Sequence, residues 1–143
     1  MVLNKRTDNS IWIAPSLLSA DFAHLADQIK LVERAGADLL HLDVMDGHFV
    51  PNLTIGPPVV KSIRPVTKLP FDAHLMVTDP LEYAPRFAQA GADSITFHAE
   101  AMTDAKATAR QIASLGVSVG VSINPDTSAE SIFDVLEDAL DCR

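Results

Sequence analysis

Short apolar runs and longer amphipathic runs alternate along this chain at a nearly fixed period, and few folds accommodate that pattern. Strand-like runs open near Ile11, Asp38, Pro70, Asp93 and Val117, at intervals of 27, 32, 23 and 24 residues. Strands alternating with helices at such spacing become parallel neighbours joined by crossover helices. Two architectures satisfy this: a doubly wound open sheet and a closed (β/α)₈ barrel. The sequence has neither a GxGxxG fingerprint nor a Walker glycine loop, the phosphate-binding devices of open sheets. Its polar residues cluster instead where the strands end, which is where barrels place their chemistry. The expected fold is an α/β TIM barrel represented by about five of its β/α units.

Local signals support that reading. Trp12-Ile13-Ala14 is a short buried strand candidate, and a helical stretch from Asp21 to Ala35 places Phe22, Leu25, Ile29 and Val32 on one face. Leu39 to Val44 reads as the next strand, and Gly56-Pro57-Pro58 opens a short helix with proline in its first turn. Asp79-Pro80-Leu81-Glu82 is a helix start, and Thr127-Ser128-Ala129-Glu130 reads as a capping box. Gly36, Gly91 and Gly116 each stand between a helix and the following strand, as left-handed helix stops do. The tetrapeptide Ala-Gly-Ala-Asp occurs at 35–38 and again at 90–93. Residues 1–10 form a polar extension, and residues 11–143 form a single partial-barrel domain.

Composition narrows the partners. A net charge of −8 argues against nucleic acid and anionic membranes, which attract basic patches. It leaves room for a phosphorylated small molecule, because backbone N–H groups hold phosphate inside acidic proteins. The single cysteine, Cys142, rules out an internal disulfide, and no apolar stretch is long enough for a signal peptide or a membrane span. The expected setting is the cytoplasm.

Chemistry concentrates on two runs. His41 and Asp43 are two apart on a predicted strand and therefore share a face. His74 ends the next strand, roughly 5 Å away, so three side chains converge on one point. Two imidazoles and a carboxylate suit zinc or a similar divalent transition metal. Any one of them alone reads better as a buried, hydrogen-bonded polar residue; the convergence of three favours a site. Asp72, two residues before His74, is a candidate partner for orienting a metal ligand. His98 closes the fourth run, where contact with a substrate and a plain structural role stand equal. Asp46 and Gly47 form a turn, His48 and Asn52 lie in the loop that follows, and Lys30, Glu33, Arg34 and Arg110 are solvated helix charges.

HLDVMDGHFVPN (His41 to Asn52), preceded by APSLLSADF and followed by DAHLMV, AGADSITFHAE and VGVSINPDTS, closely resembles the ribulose-phosphate 3-epimerase family. The resemblance runs in order from Trp12 to Ala139. It implies a ribulose-phosphate-binding barrel that interconverts D-ribulose 5-phosphate and D-xylulose 5-phosphate through a metal-stabilised cis-enediolate. It also implies one divalent metal ion (Zn, Fe, Mn or Co) held by His41, Asp43 and His74, with Asp43 doubling as an acid/base. Ser16, His41, Met45, His74 and Met76 match substrate-contacting positions. A phosphorylated ketopentose as partner, and a homo-oligomer for the full-length family with the state of this chain left open, complete what the resemblance implies.

The same resemblance places a second catalytic aspartate and the phosphate-gripping loops beyond Arg143. A sixth strand is due near residue 140, where the chain reads Leu140-Asp141-Cys142-Arg143, and the expectation is a truncated barrel with weak or no epimerase activity of its own. The alternatives are a 3-epimerase of another ketose phosphate such as allulose 6-phosphate, a non-catalytic metal-binding and self-associating half-barrel, and a chain that does not fold stably.

Overall fold

A computed structural model describes residues 11–136, so the polar extension at 1–10 and the run expected near residue 140 lie outside the described residues. Helices and strands alternate as α1 (Leu25–Arg34), β1 (Leu40–Met45), α2 (Pro57–Ile63), β2 (Phe71–Met76), α3 (Pro80–Ala90), β3 (Ser94–His98), α4 (Ala105–Ala113) and β4 (Ser118–Ser122). The strands form one sheet in the order β1-β2-β3-β4, and each neighbouring pair is parallel. A doubly wound sheet reverses its winding at a switch point and so breaks sequential order. Unbroken order is the winding of a barrel wall.

The first of the five strand-like runs falls short of a regular strand. It lies extended beside β1: the His41 N–H donates to the Pro15 carbonyl at 3.0 Å, and Ser16 pairs with His41 as a single parallel bridge. Pro15 has no N–H to offer a ladder, which limits pairing along this edge. Trp12-Ile13-Ala14 is also not a buried strand, since Ile13 is 56% exposed and Ala14 is exposed as well.

Burial alternates strictly along β1 and β2. Leu40, Leu42, Val44, Phe71, Ala73, Leu75, Ile95 and Phe97 are buried on one face and share a core with Ile29, Val60, Ile63, Ala84, Phe87, Ala109 and Ile112 of the helices. The opposite face carries His41, Asp43, Met45, Asp72, His74 and Met76, which are only partly buried. The period of two therefore sends greasy residues to the helices and polar ones to the inside of the wall.

The repeated tetrapeptide has a structural meaning. Gly36 and Gly91 stop α1 and α3 at φ +95° and +110°, and Gly116 does the same after α4 at +80°. The aspartate two residues after each of the first two glycines then ties two neighbouring segments together. Asp38 donates its N–H to the Ile13 carbonyl and accepts the Ile13 N–H on Oδ2, both at 2.9 Å. Asp93 does the same with Phe71, again at 2.9 Å in each direction. Arg64 closes this second knot. Its guanidinium stacks 3.6 Å above the Phe71 ring and donates to Asp93 Oδ2 at 3.1 Å and to the carbonyls of Thr67 and Leu69 at 2.8 and 2.7 Å. A Cβ on Gly91 would lie 2.7 Å from Arg64 Cδ, so glycine is required there by contact as well as by φ. Asp93→Ala leaves a strand N–H and the guanidinium without this acceptor, and is expected to cost about 1–3 kcal/mol in urea unfolding.

Two local expectations are corrected. The last helical segment opens as a 3₁₀ turn at Ala129–Ile132 with Ser128 as N-cap and no side-chain cap bond. The Ser128 hydroxyl donates instead to the Glu130 carboxylate, and Thr127 reaches away to Glu100. Glu33 is not a free surface charge, because Thr67 Oγ1 donates to it at 2.8 Å. No helix among the described residues is long and apolar enough to cross a membrane.

Candidate metal centre and active site

Strand register arranges the inner face in rows. His41, Asp72, Ser94 and Ser118 are partners in one row, and Asp43, His74, Thr96 and Gly120 in the next. Met45 pairs with Met76, and His98 with Ser122, nearest the C-terminal ends. Gly120 is required by close approach, since a Cβ there would sit 2.3 Å from Thr96 Oγ1.

His41, Asp43 and His74 converge as expected, each offering a ligand atom within 4.8 Å of the others. Asp43 Oδ1 lies 3.3 Å from His41 Nε2 and 3.6 Å from His74 Nδ1. The donor set fits a divalent ion, and the orientation of His41 supports that fit. Its Nδ1–H donates to Asp72 Oδ2 at 2.8 Å, which turns Nε2 toward Asp43. Asp72 therefore orients His41 on the neighbouring strand and not its own neighbour His74. The Asp72 hydrogen bond also raises the His41 pKa above the usual imidazole value. Burial works against the Asp72 carboxylate, yet its bonds with His41, Ser94 and Thr96 outweigh that and hold its pKa low. His74 goes the other way: burial first, then the neighbouring imidazoles, lower its pKa.

Ser16 donates its hydroxyl to Asp43 Oδ2 while its Oγ accepts the Leu18 N–H at 3.1 Å. The expected substrate-contacting serine is thus held against the expected base. Met45 and Met76 sit half-buried on the same face as Asp43 and His74. Thr54 also fixes the end of β1, donating to the Asp43 carbonyl at 2.7 Å and accepting the Met45 N–H at 3.0 Å.

Asp46 and Gly47 form the expected turn, with Gly47 at φ +76°. The Asp46 carboxylate accepts the N–H groups of His48 and Phe49 at 2.8 and 2.9 Å and reaches across to the Thr78 N–H at 2.8 Å. His48 stays exposed on this turn, its Nδ1 bound to the Asp46 carbonyl, and Asn52 is exposed as well. Desolvation opposes the Asp46 charge, but these bonds prevail and hold its pKa far below the ordinary 3.8. A carboxylate depressed on folding contributes stability above its unfolded pKa and loses it as pH falls through the folded value. The melting-temperature gap between wild type and Asp46→Ala is therefore expected to be full above pH 3.8 and to close in stronger acid.

Some of the inner face was missed in the sequence. Ser94 and Thr96 follow from the same alternation that picks out His98 and were legible in SITFH. Glu100 was not, because its partners Asn124 and Thr127 arrive only through the fold.

Residues 12–142 match the ribulose-phosphate 3 epimerase family. The chain is 54% identical over 128 residues to the ribulose-phosphate 3-epimerase of Bacillus subtilis, covering 90% of this chain and 59% of that protein. It is 47% identical over 137 residues to the chloroplastic ribulose-5-phosphate-3-epimerase of Arabidopsis thaliana, covering 94% of this chain and 49% of that protein. The chain thus spans about half of these curated relatives. In fold alone it is similar to the Yersinia pestis DHPS solved with a pterine-sulfa conjugate, at TM-score 0.64 and 12% identity over 92% of this chain and 54% of that one. With the sequential parallel wall and a match over nearly its whole length, the chain belongs to the ribulose-phosphate 3-epimerase family.

Proposed function

We propose that this chain carries the metal-binding and first proton-transferring part of an epimerase that interconverts D-ribulose 5-phosphate and D-xylulose 5-phosphate. The observation that carries the reading is the His41, Asp43 and His74 cluster on the inner face of a family member. Epimerisation at C3 removes the proton α to the C2 carbonyl and returns one to the opposite face, so it needs a proton-transfer group on each side. Asp43 is the first of these. His41 and His74 flank its Oδ1, while the Ser16 hydroxyl binds Oδ2 and holds the carboxylate in place. Met45 and Met76 supply an apolar floor near the C-terminal ends of the strands.

His41, Asp43 and His74 would hold one divalent ion (zinc, iron, manganese or cobalt). When bound, that ion offsets the negative charge that develops on the substrate oxygens as the C3 proton leaves. The partner is a phosphorylated ketopentose, a reading supported by the family, and the setting is the cytoplasm.

Proton NMR of ribulose 5-phosphate with the purified, zinc-supplemented chain in D₂O tests this. Deuterium entering C3 is expected, and growth of xylulose 5-phosphate signals reports a second proton-transfer group at work. A folded, zinc-loaded chain that exchanges no C3 proton would falsify the assignment of proton transfer to this half of the site.

A further inference from the structure

His98 is a buried imidazole next to the metal centre, and the proton transfer leaves it without a task. It ends β3, is 7% exposed, and is covered by the Phe49 ring at a centroid distance of 5.0 Å. Its Nε2 lies 2.9 Å from His74 Nε2, with the two rings nearly parallel at 14°. Two ring nitrogens at that distance share one proton: one is a donor and the other an acceptor.

The position of the other His74 nitrogen decides which is which. His74 Nδ1 faces Asp43 Oδ1, so it must keep its lone pair to serve as a ligand. A neutral His74 then carries its proton on Nε2 and donates it to His98 Nε2. His98 is thereby forced to carry its own proton on Nδ1. That atom has no hydrogen-bond partner at normal distance; the nearest carboxylate oxygen is Glu100 Oε2, 3.5 Å away. Glu100 is itself held in place, its Oε1 accepting the Asn124 N–H at 2.6 Å and the Thr127 hydroxyl.

We propose that Glu100 and His98 are positioning residues that fix the tautomer of His74 and turn its Nδ1 toward the metal centre. The arrangement extends, one imidazole longer and with the carboxylate at 3.5 Å in place of 2.8 Å, what Asp72 does for His41. It also links the segment after β4 to the ion-binding face through Asn124 and Thr127. The inference rests on the metal-centre reading above.

Nitrogen-15 NMR of the imidazoles in the metal-free chain reads the tautomers directly. The expected pattern is Nε2–H for His74 and Nδ1–H for His98. The reverse pattern, or an even mixture at His74, overturns the proposal. His98→Gln keeps an acceptor near His74 and is expected to preserve its tautomer. His98→Phe removes the acceptor, and is expected to erase the preference and weaken zinc binding by about 10–100-fold. An unchanged His74 tautomer in His98→Phe overturns the positioning role. Zinc that leaves the His41 and His74 signals of the wild type unmoved overturns the metal centre itself, a failure separate from that of the tautomer pattern.

Discussion

Asp43→Asn is expected to slow deuterium entry at C3 of ribulose 5-phosphate by about 10²–10⁴-fold, the usual contribution of a positioned general base. An amide of the same shape keeps contact with Ser16 but has no basic oxygen to take the proton. The substitution also alters a metal donor, so two effects must be separated. A loss that comes only from weaker ion binding is restored by raising the zinc concentration, whereas loss of the base persists at saturation. Exchange that recovers fully in excess zinc would leave Asp43 as a ligand and remove it from proton transfer. Ser16→Ala offers the milder comparison, since it leaves the carboxylate intact and deletes one hydrogen bond to Oδ2.

Phe97→Ala is expected to produce the largest loss of stability, about 3–5 kcal/mol, as large-to-small changes of buried aromatic residues do. Phe97 is fully buried, and its strand is paired on both sides, with Leu75 and Val121 as its partners. Deletion leaves a cavity that paired strands cannot close by shifting. The expected result is a lower urea midpoint at an unchanged slope. Leu53→Ala is the control: Leu53 is 76% exposed, and its truncation is expected to stay within about 0.5 kcal/mol. A Phe97→Ala cost no greater than that of Leu53→Ala would mean that the helix-facing core is not what holds this sheet together. The change also tests how separable the two faces are, because Thr96 and His98 point to the opposite side from Phe97.

Much of this protein was written in the period of its sequence. Alternating runs implied parallel strands with helical crossovers, and alternation implied that His41 and Asp43 share a face within HLDVM, as Asp72 and His74 do within FDAHLM. These are local consequences of strand geometry, so one chain segment suffices to state them. The glycine stops at Gly36, Gly91 and Gly116 are local in the same sense, being set by backbone conformation at one residue.

The choice of barrel wall over doubly wound sheet was settled by strand order, a property of which segments meet and not of any segment alone. The same holds for the first run, whose apolar residues suggest a buried strand and which lies instead on an exposed edge beside Pro15. Partner identities were decided by the fold for the same reason. Asp72 sits two residues from His74 yet orients His41, because register brings Asp72 opposite His41 across the strand gap. Thr127 abandons its own helix start for Glu100, 27 positions away in sequence. Periodicity within a segment determines which face a side chain joins; only the register between segments determines what it meets there.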